Sequence, residues 1–306
     1  MIVLYWFCNL FQAMFKKLTA SDSSKQEQKS EAKEHNTEPP PLDEKYPDWV
    51  AYQPDLIPPL PLMRKEGITV LEEWFRWAEE WSFLLRLYGK IQMSSRVLEI
   101  GCGLGRTAFP LRYILLNGKY EGFEICKYKV DFLQEHFTPA HSNFRFIWAD
   151  IHNTYYNPEG KIAAEDYEFP YSPAMFDIVY AASVFTHMLP SITQNYFKQT
   201  ARVLKKDGRA VFSFFVLDYY RPGEARPLGF SREGFNFDHE YLEYGNEFKI
   251  SNPENPEEMT AYKKALIEKY AAEAGLELVL EPVAGLWSGS FSTWIGAQDI
   301  VVLRKR

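Results

Sequence analysis

The run Val97-Leu-Glu-Ile-Gly-Cys-Gly-Leu-Gly-Arg106 concentrates residues able to bind a ligand. An apolar stretch leads into Gly101, Gly103 and Gly105, and a helical pattern follows. Glycines there let the backbone turn sharply and approach a ligand without a Cβ in the way. A dinucleotide fingerprint would need its third glycine three positions after the second, where Arg106 stands. Glu99, just ahead of the loop, suits a cationic ligand group better than a pyrophosphate. Two more acids close apolar runs further on. Glu124 ends Tyr-Glu-Gly-Phe-Glu, where a carboxylate can accept both hydroxyls of a ribose. Asp150 ends Trp-Ala-Asp, where it can accept from an adenine amino group.

These residues need strands to carry them and helices to cover the strands. Leu71, Trp74, Phe75, Ala78, Trp81, Leu85 and Tyr88 recur at helical spacing, which predicts an amphipathic helix over 70–88 that ends at Gly89. Its tryptophans read as core packing. Short apolar runs then alternate with helical patterns. Strands are expected at 96–100, 120–124, 144–148, 176–182, 209–217, 276–282 and 299–304. Helices are expected at 104–116, 127–137, 192–204 and 256–274. Such alternation implies an open α/β sheet, mostly parallel and covered on both faces. The last two strands are joined by about 15 residues with no helical pattern, which favours an antiparallel edge pair.

The set resembles the class I S-adenosylmethionine-dependent methyltransferases over roughly Met93 to Arg306. The resemblance rests on 97–106, 122–125, 149–151, 176–188 and 201–208. The segments 150–160, 169–171, 183–187 and 287–305 echo a bacterial small-molecule subgroup. It implies a Rossmann-like seven-stranded sheet with an antiparallel last strand, helices on both faces, and S-adenosyl-L-methionine as cofactor. It further implies that Glu99 and the backbone of 101–105, with Gly101, Cys102, Gly103 and Gly105, hold the methionine part, and that Arg106 is cofactor-binding. Glu124 would hold the ribose and Ile125 would pack on adenine. Asp150 and Ile151 would read the adenine edge, while Ala182 and Ser183 would line the methyl end. The family's Pro-Gly-Gly turn after the fourth helix is Lys206-Asp-Gly208 here, remote from the methyl.

On the acceptor side, His187 follows the fourth strand and is the candidate general base, since an imidazole titrates near neutrality. Asp218, after the fifth strand, is a second catalytic candidate that could orient an acceptor or its base. Asp299 reads as structural, and His152 and His239 as weaker candidates. No metal ligand set is expected. No Asn/Asp-Pro-Pro-aromatic motif follows the fourth strand, which argues against methylation of nucleobase or glutamine amino groups. The acidic pair of aminopropyl transferases is also missing from Ala181-Ala182-Ser183. Two insertions, 152–173 and 218–256, are rich in tyrosine and phenylalanine and are expected to form an aromatic lid and acceptor pocket.

A net charge of −7 argues against binding nucleic acid by phosphate neutralisation. Three scattered cysteines form no disulfide framework, so a reducing, cytoplasmic setting is expected. Residues 1–18 form an apolar segment, read as either a mis-assigned start or a peripheral membrane contact through 1–17. Residues 19–61 read as a disordered linker and proline-rich arm. The methyltransferase domain is expected over 62–306. The expected activity is methyl transfer to a small molecule or a glycan or lipid precursor, with oxygen the favoured acceptor atom. The competing reading is a catalytically silent methyltransferase-fold binding module or scaffold at a membrane.

Overall fold

Val97 and Ile178 stand side by side on parallel strands, although two further strands lie between them in sequence. That pairing follows from the element order. The computed structural model describes residues 53–221, 236–288 and 295–306. The expected tail segment 1–18 and most of the linker lie outside the described residues. The described end of the expected arm packs on the domain. Leu56 is buried, and a short helix α1 (Leu60–Lys65) follows with Met63 buried.

Helix α2 (Leu71–Leu84) runs on through a π-turn, Leu85–Gly89, and buries Trp74, Ala78, Trp81 and Leu84. Then come β1 (Arg96–Ile100), α3 (Ala108–Leu111), β2 (Lys119–Glu124), α4 (Lys127–Phe132), α5 (Thr138–Ala140) and β3 (Phe144–Trp148). The second half holds β4 (Phe176–Ala181), α6 (Pro190–Val203), β5 (Leu204–Phe214), β6 (His239–Glu240), β7 (Phe248–Ile250) and β8 (Thr260–Tyr262). It closes with α7 (Lys264–Ala274), β9 (Leu276–Leu278) and β10 (Asp299–Lys305). The main sheet has seven strands in the order β3-β2-β1-β4-β5-β10-β9. β10 runs antiparallel to both of its neighbours, and the other pairs are parallel.

Strand alternation explains why both faces are covered. In β4, Val179 and Ala181 join a core layer under α6 and α7, whereas Ile178 and Tyr180 join a second layer under α2, α3 and α4. β10 splits likewise, with Val301 and Leu303 on the first side and Ile300 and Val302 on the second. Among the described residues no helix is long and apolar enough to cross a membrane.

Among the expected elements that differ, three bear on the site's surroundings. The helix expected over 104–116 is regular only across Ala108–Leu111, because Pro110 has no N–H to donate and crowds the preceding turn. The helix expected from 256 starts at Lys264. Residues 260–262 instead form β8, whose ladder with β7 and bond from Tyr262 N–H to the Phe215 carbonyl (2.9 Å) outcompete the helical pattern. The fifth strand begins at Leu204 rather than 209. It passes through Asp207 at φ 61°, with a register irregularity against β4 at Phe176/Ile178.

Candidate functional site

A cleft opens at the carboxyl ends of β1, β2 and β4, where the sheet leaves backbone groups and side chains facing outward. The glycine loop forms its floor. Gly101 and Cys102 N–H groups donate to the Phe123 carbonyl (2.9 and 3.1 Å), which pins the loop to the end of β2. Gly101 has φ +68°, and a Cβ there would stand 2.7 Å from Val184 Cγ2, so only glycine fits. Gly103 has φ +55°, and a Cβ there would meet nothing within 4 Å. Its backbone therefore faces open space. Gly105 packs on Leu133 and is not among the cleft-lining residues.

Glu99 is buried on the cleft wall. Its carboxylate accepts from Thr107 Oγ1 (2.5 Å), from Tyr180 OH (2.7 Å) and from Tyr120 OH. Burial pushes it up to about 7, against the opposing pull of those hydroxyls and of Arg106. Glu124 accepts from Gly103 N–H (3.0 Å) and Cys126 N–H (2.9 Å). The buried Lys129 ammonium stands 3.8 Å from it and 3.0 Å from Glu66 at the end of α1. Ile125 and Ile151 add apolar wall. Asp150 is not among the lining residues; its carboxylate stands 3.8 Å from Lys161, and its carbonyl accepts from Lys161 and Ile162 N–H.

After β4 the chain turns through Ser183 at φ +56°, a region disfavoured for a side-chain-bearing residue. The turn is fixed on both sides. Ser183 N–H donates to Ser213 Oγ (2.7 Å), and Ser183 Oγ donates to Gln298 Oε1 (3.0 Å). Ala182, Ser183 and His187 all line the cleft. His187 Nδ1 sits 2.8 Å from the Glu258 carbonyl and 3.2 Å from that of Glu257. Carbonyls only accept, so Nδ1 carries the proton and Nε2 keeps a lone pair. Burial lowers the pKa below the usual 6.5, so the ring is neutral at pH 7.

Asp218 requires a correction. It is not among the cleft-lining residues. Its carboxylate accepts from Lys264 N–H (2.8 Å) at the start of α7, beside Lys263 Nζ (3.7 Å). It satisfies an orphan donor of a helix terminus instead of orienting an acceptor. Asp299 is structural as expected. Fully buried, it accepts from Val216 N–H, Gly285 N–H and Trp287 Nε1–H (2.8, 2.7 and 2.6 Å).

The aromatic lid also comes out differently. Tyr155 and Tyr156 line the cleft, but Tyr167, Phe169 and Tyr171 are buried in the core under α6. In the second insertion Tyr220 and Phe237 pack on Trp287, while Tyr241 and Tyr244 pack on Phe248. Phe230 and Phe235 lie outside the described residues. Asn255 at the end of that insertion, and Glu257 and Glu258 just past it, line the cleft instead. Glu257 also ties the two insertions together, accepting from Asn153 Nδ2 (3.1 Å) and Thr154 Oγ1 (2.8 Å).

Sequence reasoning missed the cover. Glu66, Ile68, Glu73, Trp74 and Trp77 reach the cleft from α1, α2 and their junction, and the Arg106 guanidinium lies 5.0 Å over the Trp77 ring. Trp74 and Trp81 are core as expected, yet Trp74 is also cleft wall.

A family profile described as a methyltransferase domain matches residues 71–281, more than half of the chain. Among solved structures, the PH0226 protein of Pyrococcus horikoshii is 17% identical, with 85% of this chain and 100% of that one covered and a TM-score of 0.50. A candidate sarcosine dimethylglycine methyltransferase from Galdieria sulphuraria is 15% identical over 79% of this chain and 88% of that one, with a TM-score of 0.49. A SAM-dependent methyltransferase from Aquifex aeolicus is 14% identical over 73% and 88%, with a TM-score of 0.44. At such identities the likeness concerns the fold.

Proposed function

Because the chain belongs to the methyltransferase-domain family, whose members use S-adenosylmethionine, we propose that it methylates a hydroxyl oxygen of a small molecule or of a glycan or lipid precursor. The observation that carries the oxygen is His187. A neutral imidazole, with its proton fixed on Nδ1 and Nε2 free to accept, lines the cleft beside the glycine loop.

The cleft fits the cofactor. Gly103 leaves open space where a ligand must pass close to backbone, and Ile125 and Ile151 offer apolar wall for a flat base. Glu124 would hold the ribose hydroxyls, and Glu99 the amino group of the methionine part. Ile151, on the cleft wall, would meet the adenine edge, joined there by Asp150, which stands one position before it and off the cleft lining. When bound, S-adenosylmethionine supplies a methyl group already activated on a sulfonium sulfur.

The residues of this chain then have two tasks. The turn at Ala182–Ser183 and the side chains of Tyr155 and Tyr156 confine the acceptor, and such alignment can supply much of the acceleration. His187 Nε2 takes the hydroxyl proton, and the Glu257 and Glu258 carbonyls stabilise the imidazolium formed. The silent-scaffold reading gains no support, since the glycine loop, Glu124 and His187 line one cleft.

The test has two stages. Titration calorimetry should detect S-adenosylhomocysteine binding, and its absence would sink the cofactor assignment. Labelled methyl transfer should then be followed over acceptors bearing hydroxyls or amines. Transfer to amines alone would remove oxygen from the proposal.

A further inference from the structure

Among the described residues, the buried side-chain atoms that lack a hydrogen-bond partner are Trp74 Nε1, Tyr171 OH, Thr186 Oγ1, Thr200 Oγ1 and Ser251 Oγ. Only Trp74 among these residues lines the cleft. A hydroxyl can turn to seek another acceptor, but an indole N–H is a donor with one fixed direction. Buried donors in native proteins nearly always have a partner, so a lone one on a ligand cleft points to a group the ligand brings.

The surroundings say which group. Trp74 packs edge-on against Phe109, with ring centroids 5.0 Å apart, on the helix that follows the glycine loop. One turn further along α2, Trp77 carries the Arg106 guanidinium on its face. Trp74 therefore sits over the same end of the cleft as Arg106, Thr107 and Glu99. That end is where the cofactor reading puts the amino-acid part of the methyl donor. An amino acid presents both an ammonium and a carboxylate. Glu99 answers the first charge; the second needs donors.

We propose that the indole N–H of Trp74 donates to the carboxylate of the methyl donor's amino-acid end, alongside Arg106. The N–H is buried and has no acceptor in the protein, on a side chain that lines the cleft. This makes the N-terminal helix part of the cofactor site as well as its cover. The inference rests on the cofactor assignment made above.

The experiment compares two ligands on the full chain. S-adenosylhomocysteine carries the amino-acid end, and 5′-methylthioadenosine lacks it. Trp74→Phe should weaken S-adenosylhomocysteine by roughly 10- to 100-fold, the range for a bond to a charged group, and leave methylthioadenosine unchanged. Should Phe disturb packing, 3-benzothienylalanine at position 74 keeps both rings and lacks only the N–H. It should give the same selective loss with an unchanged melting temperature. In the 15N-labelled wild type, one indole N–H resonance should shift with S-adenosylhomocysteine and stay put with methylthioadenosine. Equal weakening of both ligands, or of neither, or an unmoved indole resonance, would overturn the proposal while leaving the cofactor assignment intact. If the wild type binds methylthioadenosine but not S-adenosylhomocysteine, or neither, the cofactor assignment itself fails.

Discussion

A histidine whose Nδ1 faces two backbone carbonyls has its tautomer chosen for it. At His187 this leaves Nε2 as the proton acceptor, and burial keeps the ring unprotonated to a lower pH than usual. His187→Ala should lower kcat by roughly 10²–10⁴-fold, the usual contribution of a general base, with S-adenosylhomocysteine affinity nearly unchanged. The wild-type rate should be flat above neutrality and fall as pH drops through a pKa below 6.5, because only the neutral ring can take a proton. A rate profile without that acid limb would remove His187 from the chemistry. The placing of the glycine loop and Glu124 at strand ends beside one cleft was legible because apolar runs that close on glycines or an acid mark where a strand stops. The place of Asp218 was not legible, because an acid just past a strand looks the same in sequence whether it faces a cleft or meets the start of a helix. Trp74 gave no signal, since helical periodicity reports burial and is silent on what else the buried face touches.

Loops that carry a functional group must themselves be held. The β7–β8 connection presents the Glu257 and Glu258 carbonyls to His187, and the Glu257 side chain anchors that connection to Asn153 and Thr154. Glu257→Ala should therefore reduce kcat by roughly 10- to 100-fold through a misplaced imidazole, the scale of a small misalignment, with cofactor affinity spared. Equal loss of cofactor affinity would mean that the tie shapes the whole cleft. Asp218→Ala should do the reverse. Removing an acceptor from the start of α7 should cost roughly 0.5–2 kcal/mol in denaturant unfolding, with turnover per folded molecule unchanged. The strands at 96–100 and 144–148 were legible to the residue because their apolar runs are short and bounded. The helix after the glycine loop was overextended because Pro110 lies inside an otherwise good pattern. β8 was hidden because its partners Phe248 and Phe215 are brought to it by tertiary contact.

Across the described residues, two fully buried acids have charged forms that their surroundings disfavour. Burial raises both Glu99 and Asp299 to about 7, from ordinary values of 4.5 and 3.8. Between those limits the folded chain binds more protons than the unfolded chain, so stability should fall as pH rises from about 4 to 7 and level off above. Thermal midpoints across that range check the sign, and Asp299→Asn should flatten part of the slope. An Asp299→Asn variant whose slope matches that of the wild type would remove Asp299 from the effect.

The carboxylate of Glu99 draws its three hydroxyls from very different distances along the chain. Thr107 is 8 positions away, Tyr120 is 21 and Tyr180 is 81. The first two partners come with the first β-α-β unit. The third arrives only when β4 has slotted in beside β1, a long-range closure that is slow compared with local contacts. The hydrogen-bond set of Glu99 is therefore complete only once β4 is in place, so this one acid reports on the closure of the whole sheet.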